Sequence, residues 1–298
     1  MKLPTSLPLA LATIAASLVV GGAVAPAAAS SEETCPAVVV LAARGSDQNE
    51  KEGQYFGPQR YSPGSMPSNG WEGPNWSAFF HYVEKAHPGV MDDVHVLGLD
   101  DQAYPAVMQL PPLAEEGEQL TSSQTSSRLW GVLTTHDIPA LVRGVTVGAL
   151  DSMRAGMDNA PAFVDAWEAR TGCAPHYVVA GYSQGAIVGT SVERHLAAKG
   201  RLLGAIYLGN PLNRPRGLAA AVPAHLLPQP AALPAGRRIN YCLDGDFACD
   251  LTVESAMDAL STKAEKHASY FLDAAAGNPT SQDVLVAETF VSWVSREN

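Results

Sequence analysis

The 298-residue sequence has few charged residues and, in particular, few basic ones. Charged side chains make up 16% of the chain, and 19 Lys and Arg stand against 30 Asp and Glu, for a formal net charge of −11. A chain so short of positive charge lacks the electrostatic footprint that binds nucleic-acid phosphates or an anionic membrane surface. We therefore expect no nucleic-acid partner, and we expect partners that are neutral or held by apolar contact.

The sequence also lacks a second apolar run of membrane-spanning length after its N-terminal segment. That segment, residues 1–29, has a single charge, an apolar run at Leu7–Val20 and small residues up to an A-x-A pattern ending at Ala29. The pattern predicts a cleaved signal peptide, so that 30–298 is a secreted or cell-envelope-associated chain without an integral span. An uncleaved anchor is the alternative, because the apolar run with its Gly/Ala extension approaches spanning length.

Cysteine is scarce as well, with only four residues, at positions 35, 173, 242 and 249. In an exported chain an even, small number of cysteines predicts disulfides, and four allow three pairings. The sequence shows no internal repeat, and 46% of its residues are hydrophobic. We expect one globular domain over 30–298, a monomer, with no metal or cofactor.

Apolar β-branched runs alternate with segments of helical periodicity along the predicted mature chain. We predict strands at 37–43, 94–97, 176–180, 203–208 and 237–242, and helices at 76–86, 138–170 (in two pieces broken near Pro161), 186–199 and 282–295. This alternation predicts an α/β fold with a doubly wound, mainly parallel five-stranded sheet, helices on both faces and no separate cap domain. The range of about 102–143 has several prolines, a Ser/Thr cluster and no clear periodicity, and we interpret it as a loop insertion.

The motif G-x-S-x-G occurs at Gly181–Gly185, between a predicted strand and a predicted helix. In that setting the glycines permit a sharp turn that exposes Ser183 at the carboxyl end of the strand, and Ser183 is the candidate nucleophile. The backbone N–H of Gln184, at the helix N-terminus, is a candidate donor to an oxyanion. A Gly/Ser turn without chemistry is the alternative, and the strand and helix around the motif argue against it.

Chain order narrows the choice of a histidine partner for Ser183. In serine hydrolases with this strand–turn–helix arrangement, the acid and then the histidine follow the serine. Of the eight histidines only His195, His225 and His267 do so. His195 lies far along the predicted helix and is expected to point away from Ser183, whereas His225 remains an alternative candidate for the histidine partner.

The acid is expected in the turn between Cys242 and Cys249, which contains Asp244 and Asp246, with Asp246 preferred. His267 is the only histidine beyond this turn, so it is the candidate general base, with a buried carboxylate to orient it. A calcium loop is the alternative for the D-x-D sequence, but the glycine and the distal glutamate of that pattern are absent. His267 as a solvated helix residue is the alternative for the histidine.

The sequence resembles the cutinase family of serine esterases, including its actinobacterial members. The matching residues are Cys35, Ala43-Arg44-Gly45-Ser46, Tyr104-Pro105-Ala106, Cys173, Gly181–Gly185, Cys242-x-x-Gly245-Asp246-x-x-Cys249 and His267. The resemblance implies an α/β-hydrolase-like fold, Asp246 rather than Asp244 as the acid of a Ser183–Asp246–His267 triad, and an oxyanion hole formed by Ser46 and Gln184.

The resemblance also implies the disulfides Cys35–Cys173 and Cys242–Cys249. The spacing agrees, since Cys35 lies 11 residues before Ser46 and Cys173 lies 10 residues before Ser183. If the two strands concerned are parallel neighbours about 4.8 Å apart, both cysteines lie at one sheet edge and both site residues at the other.

The insertion of about 102–143 is longer than the core of the cutinase family requires. Its apolar residues have two possible roles between which the sequence does not decide: they form a lid or acyl groove, or they pack the loop against the domain. These residues are Tyr104, Met108, Leu110, Leu113, Trp130 and Leu133.

The function implied is a secreted serine carboxylic-ester hydrolase that acts on lipid or hydroxy-acid polyester esters with an apolar acyl part, through an acyl-serine intermediate. Two alternatives remain. One is an extracellular acyltransferase on envelope lipids, in which an alcohol replaces water. The other is a secreted binding protein that keeps the scaffold without catalysis.

Overall fold

The structure is a computed structural model. It describes residues 35–50, 53–55, 57–108, 138–220, 222–262 and 264–295, with the backbone alone at 138–147 and 260. The predicted signal peptide, 1–29, lies outside the described residues. So does most of the predicted insertion, including the apolar positions from Leu110 to Leu133.

Five parallel strands form one sheet in the order β2-β1-β3-β4-β5. The strands are β1 Val38–Ala43, β2 Val94–Gly98, β3 His176–Tyr182, β4 Leu202–Leu208 and β5 Arg238–Tyr241. Every residue of β1 and β2 is buried, as expected for strands covered on both faces. The predicted five-stranded parallel sheet is confirmed.

The four predicted helices are present in the predicted order, with one difference in the longest, and the described ranges contain three further helices and a 3₁₀ turn that were not predicted. In chain order, these elements are α1 Pro74–Ala86, α2 Ile138–Thr171, α3 Gln184–Ala198, a 3₁₀ turn Ala224–Leu226, α4 Val253–Thr262, α5 Glu265–Ala268, α6 Leu272–Ala275 and α7 Ser281–Val294. The predicted break near Pro161 is wrong, because α2 continues through it. Proline in a helix interior costs about 3 kcal/mol. Burial of Ala160, Val164 and Trp167 on the same helix face offsets that cost.

Alternate residues of the strands pack into two apolar cores, one on each face of the sheet. Val38, Val40 and Ala42 belong to the core that contains aromatic side chains of α1 and α7, among them Phe79, Phe80, Phe290 and Trp293. The intervening residues of β1 belong to the core that contains Val164 and Trp167 of α2 and Val188, Val192 and Leu196 of α3. Each fully buried side chain of this size contributes about 1.5–3 kcal/mol. The helices therefore cover both faces, as predicted for a doubly wound sheet.

The strand order reverses between β1 and β3, so the two connections leave the sheet in opposite directions and open a crevice at the strands' carboxyl ends. Ala43 of β1 is in register with Gly181 of β3. Ser46 follows β1 and Ser183 follows β3, so both lie at this crevice. At the opposite edge, the Cys35–Cys173 disulfide joins the segments that lead into the two strands. None of the helices in the described ranges is long and apolar enough to cross a lipid bilayer.

Candidate active site

The turn at residues 181–185, here called the elbow, has the tight backbone that its glycines predict. Ser183 has φ 54° and ψ −120°, a conformation that a non-glycine residue rarely adopts. An added Cβ at Gly185 would lie 2.1 Å from the Ala43 carbonyl oxygen and 2.5 Å from that of Arg44. Glycine is thus required at this position because the elbow backbone rests directly on the end of β1.

Ser183, His267 and Asp246 form a continuous hydrogen-bonded chain. His267 Nε2 lies 2.8 Å from Ser183 Oγ, and His267 Nδ1 lies 2.8 and 2.9 Å from the two carboxylate oxygens of Asp246. Asp246 is fully buried and Ser183 is 7% exposed. Because the carboxylate accepts from Nδ1–H, the neutral imidazole has a lone pair on Nε2 directed at the serine hydroxyl.

Asp246 is held in the turn that the Cys242–Cys249 disulfide closes. The N–H of Ala248 donates to Asp246 Oδ1 at 2.9 Å, and the hydroxyl of Tyr270 donates to Oδ2 at 2.6 Å. Asp244 is exposed, and the carboxylate that meets the imidazole is that of Asp246. The structure thus brings together the serine, acid and histidine that the sequence predicted.

The imidazole of His267 is packed between two aromatic side chains, those of Tyr182 and Phe247. Its ring centroid lies 5.1 Å from that of Tyr182 and 5.2 Å from that of Phe247. Tyr182 also donates its hydroxyl to the His267 carbonyl at 2.8 Å. At Gly209, after β4, an added Cβ would lie 2.7 Å from His267 Cε1 and 2.9 Å from Asp246 Oδ2. Glycine there leaves the space that the two side chains occupy.

The backbone N–H groups of Ser46 and Gln184, the predicted oxyanion donors, have no acceptor among the described residues. The Ser46 hydroxyl is buried and likewise has no partner in the described part of the chain. The Gln184 side chain is fixed instead: it accepts from Ser152 Oγ at 2.9 Å and donates to the Val107 carbonyl at 3.2 Å. Free donors at a helix N-terminus, beside a serine hydroxyl, can stabilise an oxyanion.

The segment after β1 is supported by a buried guanidinium. Arg44 is 1% exposed and donates to the carbonyl oxygens of Leu99 and Tyr104 and to the carboxylate of Asp101. The Tyr104 ring lies 5.4 Å from the guanidinium carbon, and its hydroxyl donates to the Arg44 carbonyl at 3.2 Å. Tyr104 therefore packs the start of the predicted insertion down against the site.

Asn75 links the Ser46 side of the site to the His267 side. Gln48 accepts from Gly45 N–H at 3.0 Å and donates to Asn75 Oδ1 at 2.7 Å. The amide group of Asn75 then donates to the carbonyl oxygens of Ala268, at 2.8 Å, and Tyr270, at 3.0 Å. No sequence pattern indicates the roles of Asn75, Tyr182 and Tyr270, because partners up to 195 residues apart leave no local pattern.

The competing histidines lie elsewhere. His195 bonds to Asp165 of α2 at 2.9 Å, and His225 is an exposed residue of the 3₁₀ turn. No cluster of three or more metal-ligating side chains occurs among the described residues. With the imidazole oriented by a carboxylate and aimed at the serine, the site can move the Ser183 proton onto His267 Nε2 and make Ser183 Oγ a nucleophile.

No protein-family model matches this sequence, and no curated protein does. Among solved structures, the chain is similar to an acetylxylan esterase, with 18% identity and a TM-score of 0.39 over 81% of this chain and 100% of the other. It is also similar to a Trichoderma reesei cutinase in complex with a C11Y4 phosphonate inhibitor, with 17% identity and a TM-score of 0.34 over 81% and 77%. Both TM-scores lie below 0.5, and similarity at this level does not indicate the function of this chain.

Proposed function

We propose that this protein is a serine-dependent carboxylic-ester hydrolase that works through an acyl-Ser183 intermediate. The observation that carries the proposal is the unbroken chain from Ser183 Oγ to His267 to the buried Asp246, with contacts of 2.8–2.9 Å. A strained serine at a strand–helix turn, next to two free backbone N–H groups, supports the same assignment.

In the proposed mechanism, Ser183 Oγ attacks the ester carbonyl carbon while His267 Nε2 takes the hydroxyl proton. The carbonyl oxygen becomes an oxyanion that the N–H groups of Ser46 and Gln184 stabilise, together with the Ser46 hydroxyl. The tetrahedral intermediate expels the alcohol, which receives the proton from His267. Water then attacks the acyl-enzyme by the same steps and releases the acid, while Asp246 orients and stabilises the imidazolium.

For the substrate, we propose esters with an apolar acyl part, such as lipid or hydroxy-acid polyester esters. The segment between Asp246 and His267 supports this, since it exposes Leu251 by 38%, Val253 by 85% and Met257 by 61%. The net charge of −11 also favours neutral over anionic substrates.

We propose that the protein works outside the cytoplasm. Two disulfides favour an oxidising compartment, and the predicted signal peptide gives a route to it. A monomeric state stays a prediction.

The test is hydrolysis of p-nitrophenyl esters, from acetate to palmitate, by the mature chain. Ser183→Ala should lower kcat by at least about 10³-fold, because it removes the nucleophile. The exposed Ser292→Ala is a matched control that should retain full activity. A fluorophosphonate probe should label the wild type at Ser183, as located by mass spectrometry. Equal rates for the wild type and Ser183→Ala would contradict the proposed enzymatic function and favour the alternative of a secreted binding protein without catalysis.

Hydrolase and acyltransferase are separated by adding an alcohol acceptor to the same assay. The proposed hydrolase releases mainly free acid when water and alcohol compete. If most of the acyl group passes to the alcohol at low acceptor concentration, the protein is an acyltransferase with the same nucleophile.

A further inference from the structure

Tyr270 lies in the turn between α5 and α6, and its hydroxyl contacts the carboxylate of the Ser–His–Asp chain at Oδ2, an oxygen that also lies 2.9 Å from His267 Nδ1. The side chain is 1% exposed. The hydroxyl donates to Asp246 Oδ2 at 2.6 Å and accepts from the N–H of Leu243 at 3.0 Å. Since the Leu243 N–H occupies its acceptor side, its one proton points at Asp246.

The hydroxyl stays protonated over the whole working range of such an enzyme. Burial, and then the charge of Asp246, raise the pKa of Tyr270 far above its ordinary value of 10.0. A neutral phenol fixed against a carboxylate is a hydrogen-bond donor of constant charge. Its effect on Asp246 is therefore the same at every pH at which the phenol stays protonated.

The ring that carries this hydroxyl is itself fixed. Its centroid lies 5.2 Å from that of Tyr241 and 5.9 Å from that of Tyr182. The Tyr270 carbonyl accepts from Asn75 at 3.0 Å. With the ring packed and the backbone held, the hydroxyl cannot follow Asp246 if the carboxylate turns, so it defines where the carboxylate sits.

We propose that Tyr270 is a positioning residue for the hydrolytic reaction: its hydroxyl fixes the rotamer of Asp246 and withdraws charge from Oδ2, and so sets the orientation and basicity of His267. The proposal rests on the proposed function. Without the hydroxyl, Ala248 N–H on Oδ1 and the imidazole itself are the remaining neutral donors to the carboxylate in the described residues.

Other ionisable groups also face the pair of Asp246 and His267. Tyr182, at the end of β3, donates to the His267 carbonyl, and burial keeps its hydroxyl protonated by raising its pKa. Lys266 lies next to His267 on α5, with its ammonium near Gly245. Asp250 accepts from Gly245 N–H within the same turn. Among the described residues, none of these groups forms a hydrogen bond with the Tyr270 hydroxyl.

The test compares Tyr270→Phe with Tyr241→Phe. Tyr241 is a matched control, since it is also buried, at 3% exposed, and also donates to a carboxylate, that of Asp283, at 3.0 Å. It has no hydrogen bond to the Ser–His–Asp chain in the described residues. Both variants lose one buried hydroxyl, so their melting temperatures should fall by similar amounts.

Tyr270→Phe should lower kcat roughly 10-fold with KM unchanged, which corresponds to one hydrogen bond to a charged group. The acidic limb of its pH profile of kcat/KM should move to higher pH. A carboxylate that has lost one hydrogen-bond donor interacts more strongly with His267 Nδ1–H and so stabilises the imidazolium. Tyr241→Phe should keep the wild-type kcat and pH profile. A Tyr270→Phe enzyme with the kcat and profile of Tyr241→Phe, or a limb that moves to lower pH, overturns the proposal.

Two further measurements separate this proposal from the proposed function. In an Asp246→Ala background, Tyr270→Phe should change kcat less than about twofold, because a residue that acts through Asp246 is not additive with it. The downfield proton resonance of His267 Nδ1–H should move in Tyr270→Phe and not in Tyr241→Phe. This resonance needs no substrate: a shift with no esterase activity in the wild type contradicts the proposed function alone, and an unmoved resonance contradicts the role of Tyr270.

Discussion

The two halves of the candidate site are built in different ways. The half that carries Ser183 is a regular strand followed by a regular helix, and contacts between backbone atoms define its shape. In the other half, Asp246 lies in a turn and His267 in a one-turn helix, and side-chain hydrogen bonds and a disulfide hold these two residues in place. A backbone contact tolerates almost no change at its glycines, whereas a network of side-chain bonds loses its geometry gradually as its members are removed.

Glycine substitutions test this difference most strongly. An added methyl group at Gly185 meets two backbone carbonyl oxygens, at 2.1 and 2.5 Å, and neither can move without displacing β1. At Gly245, in the acid turn, the nearest atom is the flexible Lys266 Nζ at 3.2 Å, and the cost comes from a φ of 76°. We expect Gly185→Ala to yield no soluble folded protein, and Gly245→Ala to fold with a loss of about 1–2 kcal/mol. Expression and urea denaturation measure both, and a folded Gly185→Ala enzyme would contradict the comparison.

Removal of the disulfides should separate stability from activity. The Cys35–Cys173 bridge spans 138 residues and the Cys242–Cys249 bridge spans 7, so chain entropy predicts losses of about 5 and about 2.5 kcal/mol for the two Cys→Ser pairs. For kcat we expect the opposite order, with the larger loss for the Cys242–Cys249 pair, since the loop that this bridge closes holds Asp246. We expect Cys242→Ser/Cys249→Ser to lose about 10-fold in kcat.

For the other pair, kcat measured below its melting transition should stay near the wild-type value. Urea denaturation and initial rates at low temperature provide the data. Equal effects of the two pairs on kcat would show that the acid turn does not depend on its disulfide.

Asn75 tests the link between the halves. Asn75→Ala would leave the carbonyl oxygens of Ala268 and Tyr270 and the amide of Gln48 without this partner, at a cost of about 2–3 kcal/mol. Because the His267 turn loses its brace, kcat should fall more than KM rises. Asn69→Ala is a control, since Asn69 bonds to Gly98 N–H and C=O away from His267. It should lower stability without a specific effect on kcat.

The difference between local backbone structure and long-range side-chain bonds also explains which residues of the site could be predicted from the sequence. Ser183 and its glycines form a local motif, and β-branched runs such as Val38–Val40 predict buried strands from composition alone. His267 was found through chain order, and Asp246 through the turn between Cys242 and Cys249 and the resemblance to the cutinase family. Asn75 and Tyr270 could not be found, because the first bonds across 193 residues and the second across 24, and one asparagine or tyrosine resembles any other in sequence.

The prediction at Pro161 failed for a related reason. A local rule favours a break at an interior proline, whereas the apolar face of α2 is a property of the assembled core. Tertiary packing outweighed the local preference there.

His95, in a regular strand, and His267, in a one-turn helix, should separate the effect of acid on stability from its effect on activity. His95 in β2 is 6% exposed and stacks on Trp167 at 5.7 Å, and burial lowers its pKa from 6.5 to about 4. The folded state keeps this imidazole neutral while the unfolded chain takes up a proton. Stability is therefore full above pH 6.5 and falls as the pH drops from 6.5 to about 4.

The loss attributable to His95 should reach about 2 kcal/mol at pH 5, from a slope of about 1.4 kcal/mol per pH unit. His95→Phe should flatten this part of the stability curve, measured by urea denaturation between pH 7 and 5, and should leave the pH profile of kcat/KM unchanged, because that profile depends on His267. The exposed His225→Phe is the control and should retain the wild-type slope. If His95→Phe keeps that slope, the acid sensitivity of the fold has another source.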